Sequence, residues 1–184
     1  MIVLASQSPR RSEILRQAGI PFVARPANVD ETARPGESPE DYVKRVARDK
    51  AMAAGAAPGE LVLGADTVVV IDGVILGKPT NSADALRMLG LLAGREHHVL
   101  TGICLRRGDE ILIDSARTRV WFKPMTPEEI AGYVATGEPM DKAGAYAIQE
   151  LASKFIERIE GSYTNVVGLP IELLQRVLRK MATS

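Results

Sequence analysis

Two hydroxyls and two guanidiniums cluster in Ser6-Gln7-Ser8-Pro9-Arg10-Arg11, directly after a short apolar run. Ser8 and Pro9 are residue types that cap and open a helix, so these polar groups are delivered to a helix N-terminus. Free backbone N–H groups and the positive end of the helix dipole attract anions there. An arginine fork can also bind two phosphate oxygens at once, so the pattern suits a polyphosphate. A well-capped helix with solvated arginines accounts for the same residues, and both readings stand on local grounds.

A second pair is Lys50 and Asp66. Lys50 falls on the apolar stripe formed by Val46, Ala47 and Ala54, so it faces inward, although its stem could cover apolar surface while the ammonium reaches water. Asp66 interrupts Gly64-Ala65-Asp66-Thr67-Val68-Val69-Val70, where a buried carboxylate is costly unless an ammonium or a metal ion pairs with it. Either partner suits phosphate chemistry, in which Mg²⁺ neutralises oxygens and a carboxylate orients or deprotonates water. A strand bulge capped by the aspartate is the alternative, and Gly64 keeps it open. Asp30-Glu31, Lys78 before Pro79, and Asp141-Lys142 could complete a pocket, but charged loop residues are usually solvated. Cys104 and Trp121 read as core residues, and His97-His98 as the start of a strand.

The elements that must position these groups follow from caps and periodicity. Ile2 to Ala5 read as a strand, followed by a helix from Ser8 to about Gly19 and a second from Ser38-Pro39 to about Ala54. Leu61 to Ile71 and Val74 to Leu76 form a hairpin around a type I′ turn at Asp72-Gly73. Ala83 to Leu92 is a helix with leucines at 86, 89 and 92. His98 to Arg106 and Glu110 to Phe122 pair around Arg107-Gly108-Asp109, and Thr126, Pro127 and Glu129 cap another helix. Extended stretches are expected at Ala145 to Gln149 and Lys154 to Ile159, then a helix from about Pro170 to Met181. Helices interleave with strands, but several neighbouring strands are hairpins, so the sheet should be mixed.

The 184 residues are enough to bury a core, and length favours a single domain over residues 1–184. The 23 basic and 23 acidic residues cancel, so no global field favours a nucleic-acid backbone or an anionic membrane. One cysteine and two adjacent histidines argue against a Cys/His metal site, so any metal should be held by carboxylates. The apolar N-terminal run is too short for a signal peptide and no segment approaches a membrane span, which together suggest the cytoplasm.

Taken in order, Ala5 to Arg11, Arg45 to Lys50, Gly64-Ala65-Asp66-Thr67, Gly77-Lys78-Pro79, Asp141 to Tyr146 and Val167-Gly168-Leu169-Pro170 resemble the Maf family over nearly the whole chain. The resemblance implies an α/β fold related to inosine triphosphate pyrophosphatases: an elongated mixed sheet flanked by helices, a cleft between two lobes, and frequent homodimerisation. It implies attack of water at the α-phosphorus of a nucleoside triphosphate with release of diphosphate, aided by Mg²⁺ or Mn²⁺. Asp66 matches the family's proton acceptor. Glu31 would help Asp66 bind the metal, while Ser8, Arg11, Lys50 and Lys78 would surround the phosphates.

Base choice in the family is associated with the positions held here by Arg10, Thr67 and Gln149. Those residues resemble the dTTP/UTP branch, whereas tryptophan, glutamine and glutamate would mark the 7-methyl-GTP branch. Glutamine can donate and accept as the edge of uracil or thymine requires. Glu150 stands where glycine is expected. The alternatives are a 7-methyl-GTP or broad non-standard nucleotide pyrophosphatase, or a nucleotide-binding regulator of septum formation and cell division.

Overall fold

The computed structural model describes residues 1–184. Its strands are β1 (Ile2–Leu4), β2 (Phe22–Ala24), β3 (Leu61–Ile71), β4 (Val74–Leu76), β5 (Glu96–Arg107), β6 (Glu110–Phe122) and β7 (Ile156–Glu160). The helices are α1 (Pro9–Gln17), α2 (Pro39–Ala53), α3 (Ser82–Leu92), α4 (Pro127–Ala135), α5 (Tyr163–Val167) and α6 (Ile171–Ala182). One sheet takes the strands in the order β2-β1-β3-β5-β6-β7, with β4 pairing β3. The β1 pairings with β2 and β3 are parallel, while β3–β4 and β6–β7 are antiparallel. The sheet is therefore mixed and flanked by helices, as the interleaved pattern predicts.

The caps form as their chemistry requires. Ser8, Ser38 and Thr126 each accept a hydrogen bond from the backbone N–H three residues on, each with proline in the first turn. Thr126 and Glu129 complete a reciprocal capping box. Asp72 and Gly73 both take positive φ, 51° and 74°, as a type I′ turn demands.

Two compact units appear, and neither is a continuous stretch of chain. Unit 1 comprises Met1–Thr67, Thr101–Ala116 and Gly168–Ser184, and unit 2 comprises Val68–Leu100 and Arg117–Val167. Strands β3, β5 and β6 each contribute residues to both.

In unit 1, small residues bring α2 against the sheet. Val3, Ala5, Ala47, Ala51, Ala54, Val62 and Cys104 form one buried cluster. A Cβ on Gly64 of β3 would lie 2.0 Å from the Ala47 carbonyl oxygen, and one on Gly102 of β5 would lie 2.3 Å from that of Val43. Two bare glycines thus let the helix backbone rest on two strands, at a distance no side chain there would permit.

Unit 2 has its own core, in which α3 and α4 contribute Leu89, Leu92, Ile130 and Tyr133 and the sheet contributes Val69, Val120 and Phe122. His97 lies within it, 1% exposed, with its ring edge-on to Phe122 and Tyr146 and its Nε2 2.6 Å from the Tyr146 hydroxyl.

The structure corrects one expected element. No strand forms over Ala145 to Gln149: Ala145 ends a 3₁₀ turn over Ala143–Ala145, residues 146–147 are irregular and residues 148–150 form a turn. The reason is backbone handedness, since Gly144 and Ala145 both take left-handed φ, 69° and 66°, and no strand continues through such a pair. Glycine is required at 144, where a Cβ would lie 2.6 Å from a Val69 methyl. Three features had no sequence counterpart: strand β2, helix α5 and the Asn81 cap of α3.

Candidate active site

Lys50 and Asp66 meet. The Lys50 ammonium lies 3.0 Å from Asp66 Oδ1 and 2.7 Å from Glu31 Oε1, so one cation serves two carboxylates. Helix α2 supplies the lysine from the face that the two glycines hold against the sheet, and β3 supplies the aspartate. The same helix fixes the loop bearing Glu31, because the Tyr42 hydroxyl donates to the Glu31 carbonyl at 2.7 Å. Arg45 secures that loop further on, donating to the Thr32 carbonyl at 3.0 Å and to both Glu37 oxygens.

Asp66 is buried, and burial pushes its carboxyl above the usual aspartate range, opposed by the fields of Lys50 and Arg11. A carboxylate that binds a proton more readily than usual, beside cations that keep it ionised, is suited to accept one from water.

Arg11 is the second centre. Only 8% exposed, its guanidinium donates from Nε to the Gly168 carbonyl at 2.8 Å, from Nη1 to Ser6 Oγ at 3.0 Å and from Nη2 to Thr67 Oγ1 at 3.0 Å. Burial pulls its pKa down and the Asp66 charge opposes the change. Three of the five guanidinium N–H groups are spent, which leaves one on each terminal nitrogen, the number a bidentate phosphate contact uses. Ser8 caps α1 through Arg11 N, and Ser6 Oγ also accepts from Ser8 N, so the whole Ser6–Arg11 turn is hydrogen-bonded around the helix start.

Of the residues singled out in the sequence, Ser8, Arg10, Arg11, Glu31, Lys50, Asp66 and Thr67 all belong to unit 1. Arg10 follows Pro9 in the first turn of α1 and is partly exposed. Lys78 and Gln149 belong to unit 2 and are exposed. Within that unit, Gly144 N donates to the Gly77 carbonyl at 3.1 Å, joining the loop of Lys78 to the segment that leads to Gln149. Lys142 braces this segment, with its ammonium 2.7 Å from the Glu138 carbonyl and 2.9 Å from Asp141. Glu150 has a place here, 3.7 Å from Lys142. Sequence reasoning passed over Tyr42, Thr101 and the Gly168 carbonyl, and only the tertiary structure reveals them.

No three of His, Cys, Asp and Glu gather in one place. Glu31 and Asp66 nonetheless face one point, the Lys50 ammonium, and Asp66 there is buried. Mg²⁺ is commonly held by one or two carboxylates together with substrate phosphates, so these two could hold it if Lys50 turned to a phosphate.

The fold is shared with the Ham1 protein of Staphylococcus aureus, at TM-score 0.56 and 17% identity over 98% of each chain. It is likewise shared with a HAM1 protein from Coxiella burnetii, at TM-score 0.53 and 20% identity over 97% of this chain and 98% of that one. In sequence, the chain is 53% identical over 184 residues to a dTTP/UTP pyrophosphatase of Anaeromyxobacter sp. (strain Fw109-5), covering 97% of this chain and 88% of the relative. It is 54% identical over 178 residues to a dTTP/UTP pyrophosphatase of Symbiobacterium thermophilum, covering 96% and 92%. The family described as Maf-like protein matches residues 1–181. With a match along almost its full length, the chain belongs to the Maf family.

Proposed function

We propose that the protein hydrolyses dTTP and UTP to the nucleoside monophosphate and diphosphate. The observation that carries this reading is the buried Asp66 carboxylate, held between Lys50 and the Arg11-bearing turn and raised in proton affinity. Water attacks the α-phosphorus, its oxygen forms the new P–O bond, and Asp66 accepts the proton that water loses. The bond from the α-phosphorus to the bridging oxygen breaks, and diphosphate carries away the electron pair. Arg11 and the N-terminus of α1, with Ser8, bind phosphate oxygens, and Lys50 and Lys78 balance the charge that develops on them.

Glu31 and Asp66 would hold a divalent ion, Mg²⁺ or Mn²⁺, and its contribution when bound is to neutralise phosphate oxygens. Arg10, Thr67 and Gln149 set the preference for a pyrimidine. The support for dTTP and UTP is the identity above 50% to relatives that bear those names. Free nucleotides are cytoplasmic substrates, and no helix is long and apolar enough to cross a membrane. A homodimer is the assembly we propose.

The test is diphosphate release from dTTP, UTP, CTP, GTP, 7-methyl-GTP and ATP, with Mg²⁺ or Mn²⁺ and with chelator as control. Metal-dependent turnover led by dTTP and UTP is expected. A lead for 7-methyl-GTP would overturn the base preference alone, and no turnover on any nucleotide would overturn the reaction and favour a regulatory binder.

A further inference from the structure

We propose that Thr101 is a positioning residue for the phosphate-binding guanidinium of Arg11, acting through the hydroxyl of Thr67. The inference rests on the reading of Arg11 as a phosphate ligand and names what aims it.

Thr101 is fully buried in β5 and faces Thr67 across a 2.8 Å hydroxyl–hydroxyl contact. Thr67 Oγ1 in turn lies 3.0 Å from Arg11 Nη2 and 3.3 Å from the Gly168 carbonyl, which also receives Arg11 Nε at 2.8 Å. These contacts close a ring: arginine to threonine, threonine to carbonyl, carbonyl back to arginine. A hydroxyl has one hydrogen and two lone pairs. If Thr67 donates to Gly168 O, it accepts from both Arg11 and Thr101, and all its valences are filled. If it donates to Thr101 instead, Thr101 still fixes the rotation of the Thr67 hydroxyl. In the first arrangement the bond to Gly168 sets the rotation and Thr101 occupies the second lone pair, in the second Thr101 sets the rotation itself, and in both it helps fix the lone pair that holds one edge of the guanidinium. Ser6 holds the other terminal nitrogen.

The Thr67 hydroxyl is committed to protein partners, so it serves the orientation of Arg11 and makes no contact with the base. Thr101, Thr67 and Gly168 are also three of the four residues at which the chain enters or leaves unit 1, so with Thr101 the ring gathers three remote segments of that unit around one cation.

The experiment compares Thr101→Val, which preserves shape and removes the hydroxyl, with Thr101→Ser, which keeps the hydroxyl. Inorganic diphosphate binding is measured by calorimetry on the full-length protein, alongside KM and kcat for dTTP, UTP and GTP and the melting temperature. The loss of one hydrogen bond that orients a ligand group predicts about 5- to 10-fold weaker diphosphate binding for Thr101→Val. KM should rise in the same proportion for all three nucleotides, with kcat within about twofold and Thr101→Ser restoring wild-type values. In an Arg11→Lys background Thr101→Val should have no further effect on diphosphate affinity. Wild-type diphosphate affinity in Thr101→Val, or a change confined to its melting temperature, would overturn the proposal. So would a KM change that depends on the base. Turnover by the wild-type protein tests the pyrophosphatase reading separately, and wild-type protein that hydrolyses triphosphates yet binds no diphosphate would sink this inference alone.

Discussion

Gly64→Ala adds one methyl group at the place where β3 meets α2, and its effect can be worked out from the backbone. The new Cβ would lie 2.0 Å from Ala47 O and 2.8 Å from Ala51 N, whereas ordinary contact begins at 3.4 Å, so helix and strand must part by about 1.4 Å. Both obstructing atoms are main chain, so no rotamer relieves the clash. Overpacking of this kind costs about 1–3 kcal/mol. For a chain of this length about 3 kcal/mol lowers Tm by roughly 6–12 °C.

The displacement also falls on the site, because α2 carries Lys50 and, through Tyr42, the loop of Glu31. A shift of that size in groups that orient a reaction reduces turnover by about 10- to 100-fold, even at a temperature where the protein remains folded. Scanning calorimetry gives the first quantity, and steady-state diphosphate release from dTTP gives the second. Wild-type Tm together with wild-type kcat would refute the claim that bare backbone contact at Gly64 sets the position of α2.

Gly90→Ala is the matched opposite. Gly90 lies inside α3 with nothing within 4 Å of its virtual Cβ, so the alanine should raise stability by about 0.5–1 kcal/mol in urea unfolding. Asp66→Asn removes charge and basicity while keeping shape. Triphosphate binding by calorimetry should stay within about threefold while turnover falls at least about 10²-fold; unchanged turnover would remove Asp66 from its role. In the metal-free protein the Asp66 carboxyl should titrate above the usual aspartate range, read by carbon NMR of the side chain, because burial outweighs the fields of Lys50 and Arg11. Lys50→Met removes the strongest opposing field, so that titration should move to still higher pH.

Burial drops the pKa of His97 from 6.5 to about 3. Its contribution to stability is therefore complete above pH 6.5 and is lost as pH falls toward 3. The loss at pH 4.5 is about 3 kcal/mol on the scale of 1.36 kcal/mol per pH unit. Urea midpoints at pH 7 and 4.5 should fall steeply in the wild type and much less in His97→Gln, and equal slopes would contradict this assignment.

Local chemistry was legible in the sequence wherever it was also sufficient. The Ser8-Pro9, Ser38-Pro39 and Thr126-Pro127 caps and the Asp72-Gly73 turn depend on neighbours within a few residues, and each formed as read. The Lys50–Asp66 pair was legible for a different reason: a lysine on an apolar helix face and a carboxylate in an apolar strand each need a partner of opposite charge. What failed to show was set by distant chain. Strand β2 has three residues and exists because β1 offers it a parallel edge. The left-handed pair at Gly144 and Ala145 answers to Val69, which the local sequence does not announce. Thr101 sits in a strand like any β-branched residue, and nothing near it marks a hydroxyl that meets Thr67.

The discontinuous make-up of unit 1 bears on how the protein is born. Synthesis delivers Arg11 long before its acceptor, since the carbonyl that accepts its Nε–H lies 157 positions later in the chain. Until Gly168 emerges that charge must stay hydrated, because burying it without its acceptor would cost more than the packing returns. Helix α6, whose Leu173, Leu174 and Val177 are buried, is made later still. Unit 2 ends at Val167, so its sequence is complete earlier. Unit 1 thus matures only after unit 2 has been synthesised, and a nascent chain stopped just before Gly168 would hold every segment of unit 2 while leaving Arg11 without the carbonyl it is built around.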